Sequence, residues 1–398
     1  MVEVSLVAGE EDLPRLREPW AALLGESAQP NPFLSWEWMT SWWQAYGKGK
    51  KLALLLVRRG SDLIGLAPLL WQSFTRYRVF RYRVVRFLGD GTEDSDYLDL
   101  LSRSGEEQAV AEAVLDFLRR RAEPWDLLCL NEVPGDSPHL VTLLRGLSGR
   151  RWYSETVEVP CCWVRLPDSW EAYLRTLRPR ERTKLRSLSR NLAAAHQVTF
   201  SAASRADELP AILESLFQLH QRRWLLKERS GVFTIPEKRH FYQLMSRAFL
   251  ERGWLLLYSL AVDGRWVAHQ FCFVLNRRVY LLQEGFDPDW GPAGVGNVLR
   301  AQVMEDCIRR GFVAYDFLAG VTPHKLAWGA TAKRSVRLAI GSRTLKNHFY
   351  FLIPRAVAAL KEAAAQHLPS PWVQGLRRLR RRMSFSSSSS RSHIAAGL

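Results

Sequence analysis

The chain has 398 residues, 47% hydrophobic and 24% charged, values of a globular protein that exclude disorder along its whole length. Its 56 Lys and Arg outnumber 40 Asp and Glu, giving a formal charge of +16. Eight basic residues and one acidic residue between Arg355 and Leu398 supply +7 of this and leave +9 on the rest, so the body is only moderately basic and a dedicated DNA-binding surface is disfavoured.

The first elements read as helix, then sheet. Leu13 to Leu24 has helical spacing, and Pro32 to Tyr46 is an aromatic-rich helix with Ser35 as its N-cap. Lys51 to Arg59 and Leu63 to Leu70 are apolar runs joined by Gly60-Ser61-Asp62, the pattern of a hairpin. Phe80 to Leu88 predicts a third strand, followed by an acidic stretch with Asp90, Glu93, Asp94, Asp96 and Asp99. A helix over Gln108 to Arg121 and a strand over Trp125 to Leu130 complete the first half. The second half repeats the order. Leu209 to Trp224 and Glu237 to Leu250 predict helices. Trp254 to Val262 turns at Asp263-Gly264 into Arg265 to Leu275, and Asp-Gly between apolar runs is a strong hairpin signal. Arg277 to Gly285 predicts the third strand, Asn297 to Arg310 a helix closed by Gly311, and Phe312 to Leu318 a final strand. Ala319 to Gly329 is expected as a loop. From Leu368 the periodicity is lost, with a basic run Arg377 to Arg382 and serines 386–390, so the tail is expected to be disordered. We read the two halves as copies of one α/β unit, with domains over 1–160 and 161–354 and a basic, Ser-rich tail over 355–398.

The five cysteines, Cys129, Cys161, Cys162, Cys272 and Cys307, are odd in number and lack zinc-ligand spacing. A reduced, cytoplasmic protein without a metal is expected. The acidic start, with Glu3, Glu10, Glu11 and Asp12, lacks a signal-peptide layout, and no apolar run reaches the ~18 residues of a membrane span.

Several residues could carry chemistry. Gly294-Val295-Gly296, before Asn297 at a helix start, lets backbone amides approach an anion, and a phosphate or diphosphate is the natural guest; two glycines also serve a plain tight turn. The bend is expected to open onto a groove beside Lys325. Asp316 ends a strand and reads either as a base or as a turn cap paired with an arginine. Lys325, between His324 and Trp328, is placed to neutralise a phosphate or an oxyanion. His220 and Trp224 share a helical face, so His220 is either a general base or a hydrogen-bonded structural residue. Arg178 to Arg190, with six Arg or Lys against one acid, fits an anionic substrate or a solvated helix face.

In this order the motifs resemble those of bacterial CelD-like acetyltransferases, named for cellulose biosynthesis, within the GNAT superfamily, and of the related Fem-type aminoacyltransferases. The resemblance rests on the basic helix, Leu219-His220 with Arg223-Trp224, Asp263-Gly264, Gly285-Phe286-Asp287-Pro288, Gly294, and Tyr315-Asp316-Phe317-Leu318 with Gly320 and Lys325. In the first half, Pro32-Phe33 with Trp42-Trp43, Ala67-Pro68-Leu69, Phe87-Leu88-Gly89 and Asp96-Tyr97 also fit. Two positions depart from the pattern. Gly291 stands where GNAT enzymes usually carry Gln or Arg, and His324 stands where an aromatic usually precedes the lysine.

The resemblance implies an α/β (α+β) fold of two tandem GNAT-like domains, each a mixed, largely antiparallel sheet flanked by helices. It implies transfer of an acyl group, expected to be acetyl, from acyl-CoA (acetyl-CoA) to an amine or hydroxyl on a small-molecule or glycan-precursor acceptor. The cofactor residues would be Gly294, Val295, Gly296 and Asn297. Lys325, His220 and Asp316 would be catalytic, and Trp224, His324 and Trp328 would contact substrate. Two other functions stay open: transfer from aminoacyl-tRNA, or a non-catalytic role in polysaccharide synthesis. The basic tail is a candidate contact for anionic membrane or RNA.

Overall fold

The computed structural model describes residues 1–120, 125–226 and 231–353. The tail expected over 355–398, with the run Arg377 to Arg382, lies outside the described residues. In chain order come β1 (Val2–Val7), α1 (Arg17–Glu26), α2 (Trp36–Tyr46), β2 (Lys51–Arg59), β3 (Asp62–Arg76), β4 (Phe80–Phe87) and β5 (Leu101–Ser102). Next are α3 (Glu107–Arg120), β6 (Leu127–Pro134), α4 (Pro138–Gly146), β7 (Trp152–Arg165), α5 (Trp170–Thr176) and α6 (Pro179–Ala195). Then follow β8 (Val198–Ala202), α7 (Leu209–Leu225), α8 (Pro236–Glu251), β9 (Leu255–Val262), β10 (Arg265–Leu275) and β11 (Arg278–Phe286). The last are α9 (Val295–Arg309), β12 (Ala314–Ala319), α10 (Pro323–Ala327) and β13 (Thr331–Ser342). Among the described residues no helix is long and apolar enough to cross a membrane.

Local chemistry accounts for the well-anticipated elements. Ser35 caps α2 by accepting from the Trp38 amide at 3.2 Å. Asp263 and Gly264 both take positive φ, +49° and +78°, as the tight hairpin between β9 and β10 requires. The segment 319–329 is not all loop. Thr322 caps α10 by accepting from the Lys325 amide, with Pro323 in the first turn, where its missing N–H costs nothing.

The halves join in one sheet of 13 strands, ordered β1-β2-β3-β4-β6-β13-β7-β12-β11-β10-β9-β8, with β5 beside β3. From either edge the pattern is the same: three antiparallel pairings, then a parallel pair spanned by a helix, α3 between β4 and β6 and α9 between β11 and β12. At the centre the closing strands are exchanged. β7 from the first half pairs with β12, β13 from the end pairs with β6, and β7 and β13 pair over twelve residues, Trp152↔Ser342 to Trp163↔Thr331. Residues 160 and 161 fall inside β7.

Packing also crosses the halves. The ring of Trp38 on α2 meets Phe241 on α8 edge-on at 5.0 Å, and Phe33 meets Phe273 at 5.6 Å. Lys238 on α8 reaches Asp94 of the acidic stretch at 2.7 Å, with both side chains buried. The hydroxyls of Tyr46 and Tyr242 donate to the same carboxylate.

Candidate functional site

Both parallel pairs separate after three residues. β11 pairs with β12 only over Arg278–Tyr280 and Ala314–Asp316, although β11 runs on to Phe286. A register shift against β10 between Phe271 and Cys272, opposite Gln283 and Leu281, helps turn β11 away. β4 likewise pairs with β6 only over Val84–Arg86 and Leu127–Cys129, and β6 continues to Pro134. Two V-shaped openings therefore flank the exchanged strands.

Lys325 stands at the second opening. Its Nζ donates to the carbonyls of Phe317 at 2.7 Å and Ala319 at 2.6 Å. Leu318, between them, has φ +59°, and its amide donates to Asp316 Oδ1 at 2.9 Å. This left-handed residue turns both carbonyls onto one ammonium, whose third N–H is left for another acceptor. Burial lowers the Lys325 pKa.

Asp316 is fully buried and already held. It accepts from Tyr97 Oη at 2.9 Å, from Lys333 Nζ at 2.9 Å and from the Leu318 amide, while Arg278 lies 3.6 Å away. His220 accepts at Nε2 from Trp224 Nε1 at 2.9 Å, and its Nδ1 is buried with no partner among the described residues. Burial, then Arg223, pushes its pKa down to about 4. His324 shares a short hydrogen bond with Arg300, and loss of solvation with that arginine's charge lowers it to about 4 as well. Trp328 is packed inward: its carbonyl accepts from Tyr173 Oη at 2.8 Å, and the Arg300 guanidinium lies 5.3 Å over its ring.

The structure thus gathers His324 and Trp328 around Arg300, with Asn297 lining the same small space and His220 and Trp224 approaching from α7. Their link is Glu284 on β11, which sequence reading missed. Glu284 pairs with buried Arg300 and, at 3.6 Å, with Arg223. Burial opposes its charge, yet these two arginines hold its pKa down at about 2. Gln270 joins Glu284 to Tyr315, whose hydroxyl donates to Gln270 Oε1 at 3.1 Å.

The phosphate-binding bend differs from expectation. Gly294 takes φ +68° at the start of α9, and the amides of Val295 and Gly296 donate to no backbone carbonyl among the described residues. The expected groove, however, is filled by α6. A Cβ on Gly294 would lie 2.9 Å from the Leu188 side chain. The space between Glu181, Lys184, Leu185, Asn297, His324 and Trp328 is ≈ 30 Å³, room for about one or two waters. A larger cleft of ≈ 450 Å³, lined by Glu10, Trp43, Lys50 and Trp71 among others, lies by β1, at the sheet's far edge.

The acidic stretch carries a further residue that sequence reading named but gave no role. Asp96 is 7% exposed, and its Oδ1 has no partner among the described residues. Burial raises its pKa to about 8, helped by Glu132 and Asp316 and opposed by Lys325 and Lys333. Only tertiary structure brings it within electrostatic reach of Lys325, since the two lie in different halves.

A family model described as an acetyltransferase (GNAT) domain matches residues 179–326. Among solved structures, FemX aligns over 88% of this chain and 99% of its own, at 11% identity and a TM-score of 0.60. A conserved protein of unknown function from Bacteroides thetaiotaomicron VPI-5482 aligns over 85% and 100%, at 14% identity and 0.54. L-PGS from Bacillus licheniformis aligns over 87% and 96%, at 12% identity and 0.50. No curated protein matches the chain. At such identities the likeness concerns the fold, and the family match marks residues 179–326 as similar to an acetyltransferase (GNAT) domain.

Proposed function

We propose that this protein transfers an acyl group from acyl-CoA, acetyl-CoA in the simplest case, to an amine or hydroxyl acceptor at the opening beside Lys325. The observation that carries this reading is the electrostatic coupling of Lys325 to buried Asp96, whose Oδ1 has no partner among the described residues. A cation with one free N–H suits the oxyanion of a tetrahedral intermediate, and a carboxyl titrating near 8 suits removal of the acceptor's proton. Asp96 replaces His220 and Asp316 as the base in this scheme. Asp316 is spent on Lys333, Tyr97 and its own turn, and His220 already accepts from Trp224. The diphosphate of CoA would meet the Val295 and Gly296 amides once α6 moves aside. A cytoplasmic setting and an acceptor from exopolysaccharide or cell-envelope synthesis belong to the proposal and rest on the sequence motifs.

Two observations favour other readings. The filled groove fits a non-catalytic accessory protein. The exposed Arg180, Lys184, Arg186 and Arg190 of α6 fit an RNA-borne aminoacyl donor. Calorimetric titration and turnover with a panel of acyl-CoAs separate the three. Saturable binding and transfer support the proposal, and Lys325→Ala should then cut kcat by ~10²–10³-fold. Transfer only with charged tRNA, falling steeply with salt, or no binding of either donor by folded protein, overturns it.

A further inference from the structure

Two buried carboxylates near the openings each leave one oxygen unsatisfied. Asp96 Oδ1 and Glu132 Oε2 are both buried without a partner among the described residues, in side chains that are 7% and 9% exposed as residues. They come from different elements. Asp96 lies in the stretch after β4. Glu132 lies on β6, past the last residue paired with β4. Asn131 ties the two together, its amide donating at 3.0 Å to both oxygens of Asp90. Tyr97, next to Asp96, reaches across to Asp316, and Lys333 Nζ sits 3.7 Å over its ring. Arg337 binds Oε1 of Glu132 through both Nε and Nη2, at 2.7 and 2.6 Å, and leaves Oε2 bare. Glu132 and Tyr97 hold φ of +59° and +52°. Asp90 and Glu93 add further negative charge near Glu132. No group of three or more His, Cys, Asp and Glu suited to a metal ion occurs among the described residues.

A buried carboxylate oxygen left bare is costly, and a cationic N–H donor satisfies it best. We propose that Asp96 and Glu132 together form the subsite that binds the ammonium of a primary-amine acceptor. This inference rests on the acyl-transfer reading for its chemistry. Glu132 Oε2 holds one N–H while Asp96 takes a proton. The freed amine attacks the acyl carbonyl, forming a C–N bond. The C–S bond of the thioester breaks, the thiolate leaves with the electron pair, and the amine's second proton passes to it or to solvent. Glu132 is a binding group and Asp96 the base, so their variants separate in kinetics.

The test uses the full chain with Glu132→Gln, which keeps the Oε1 contact to Arg337. Thermal scans compare ethylammonium chloride with sodium chloride at equal ionic strength, and transfer from acetyl-CoA is followed with glucosamine and with glucose. The expected result is stabilisation of the wild type by ethylammonium, absent in Glu132→Gln. Transfer to glucosamine should exceed transfer to glucose, with the amine KM raised about tenfold to a hundredfold in Glu132→Gln at similar kcat. Equal stabilisation of both proteins, or an unchanged amine KM, overturns the inference while leaving acyl transfer standing. Ethylammonium binding that depends on Glu132, with no use of any donor, overturns the transfer reading and leaves the carboxylate pair.

Discussion

At Asp96 the catalytic and the stability consequences of burial have opposite signs. The folded carboxyl keeps its proton to about 8, whereas its ordinary value is 3.8. Between those values the folded state binds the extra proton, so this group's contribution to stability falls as pH rises. Asp96→Asn is therefore expected to raise the melting temperature at pH 8 relative to wild type, with a smaller difference at pH 4. The same variant should lose the limb of the rate profile that rises toward pH 8. His220, His269 and His324 behave oppositely. Their pKa values are lowered to about 4 from 6.5, so the unfolded chain takes up protons first and stability drops as pH falls from 6.5 toward 4. A rate limb near 4 with Asp96→Asn unaffected would return the base to a histidine.

At the scale of elements, α6 decides access. Leu188 rests on Gly294, and Leu185 helps close the small space beside Asn297. A donor that needs this groove binds only the fraction of molecules in which α6 has moved. Leu188→Ala weakens the contact, so it should lower the KM for acyl-CoA and modestly lower the melting temperature. A higher KM in that variant would show that α6 contributes to the donor site as it stands. Elements with strong local signals were legible in the sequence: the capped α2, the Asp-Gly hairpin and the paired repeats of helix, hairpin and strand. The exchanged strands were not. β7 carries Pro160, which usually argues against a central strand; here the β7–β12 register breaks beside it, at Asp316/Ala319, and its carbonyl accepts from Gly320. Lys325 stood out in the sequence through its motif. Glu284, Arg300 and Glu132 did not, because each gains its meaning from a partner on another element.

For the whole molecule, the exchange of β7 and β13 and the contact of α2 with α8 bind the halves into one cooperative unit. Lys238 and Asp94 form a buried ion pair between them. Removing one partner strands a charge in the interior, so Lys238→Met should cost about 3–5 kcal/mol. Urea unfolding should shift as a single transition. Two separate transitions, one unchanged, would mean that the halves unfold independently.

The placement of β13 also dictates how a nascent chain matures. A ribosome releases β6 and β7 well before residues 331–342, the segment that must lie between them. Until β13 is made, both neighbours expose ladder edges with nothing to zip against, and such edges attract other chains. The central seam therefore closes only after residues 331–342 are made, and a chain truncated before Thr331 lacks the strand that joins β6 to β7.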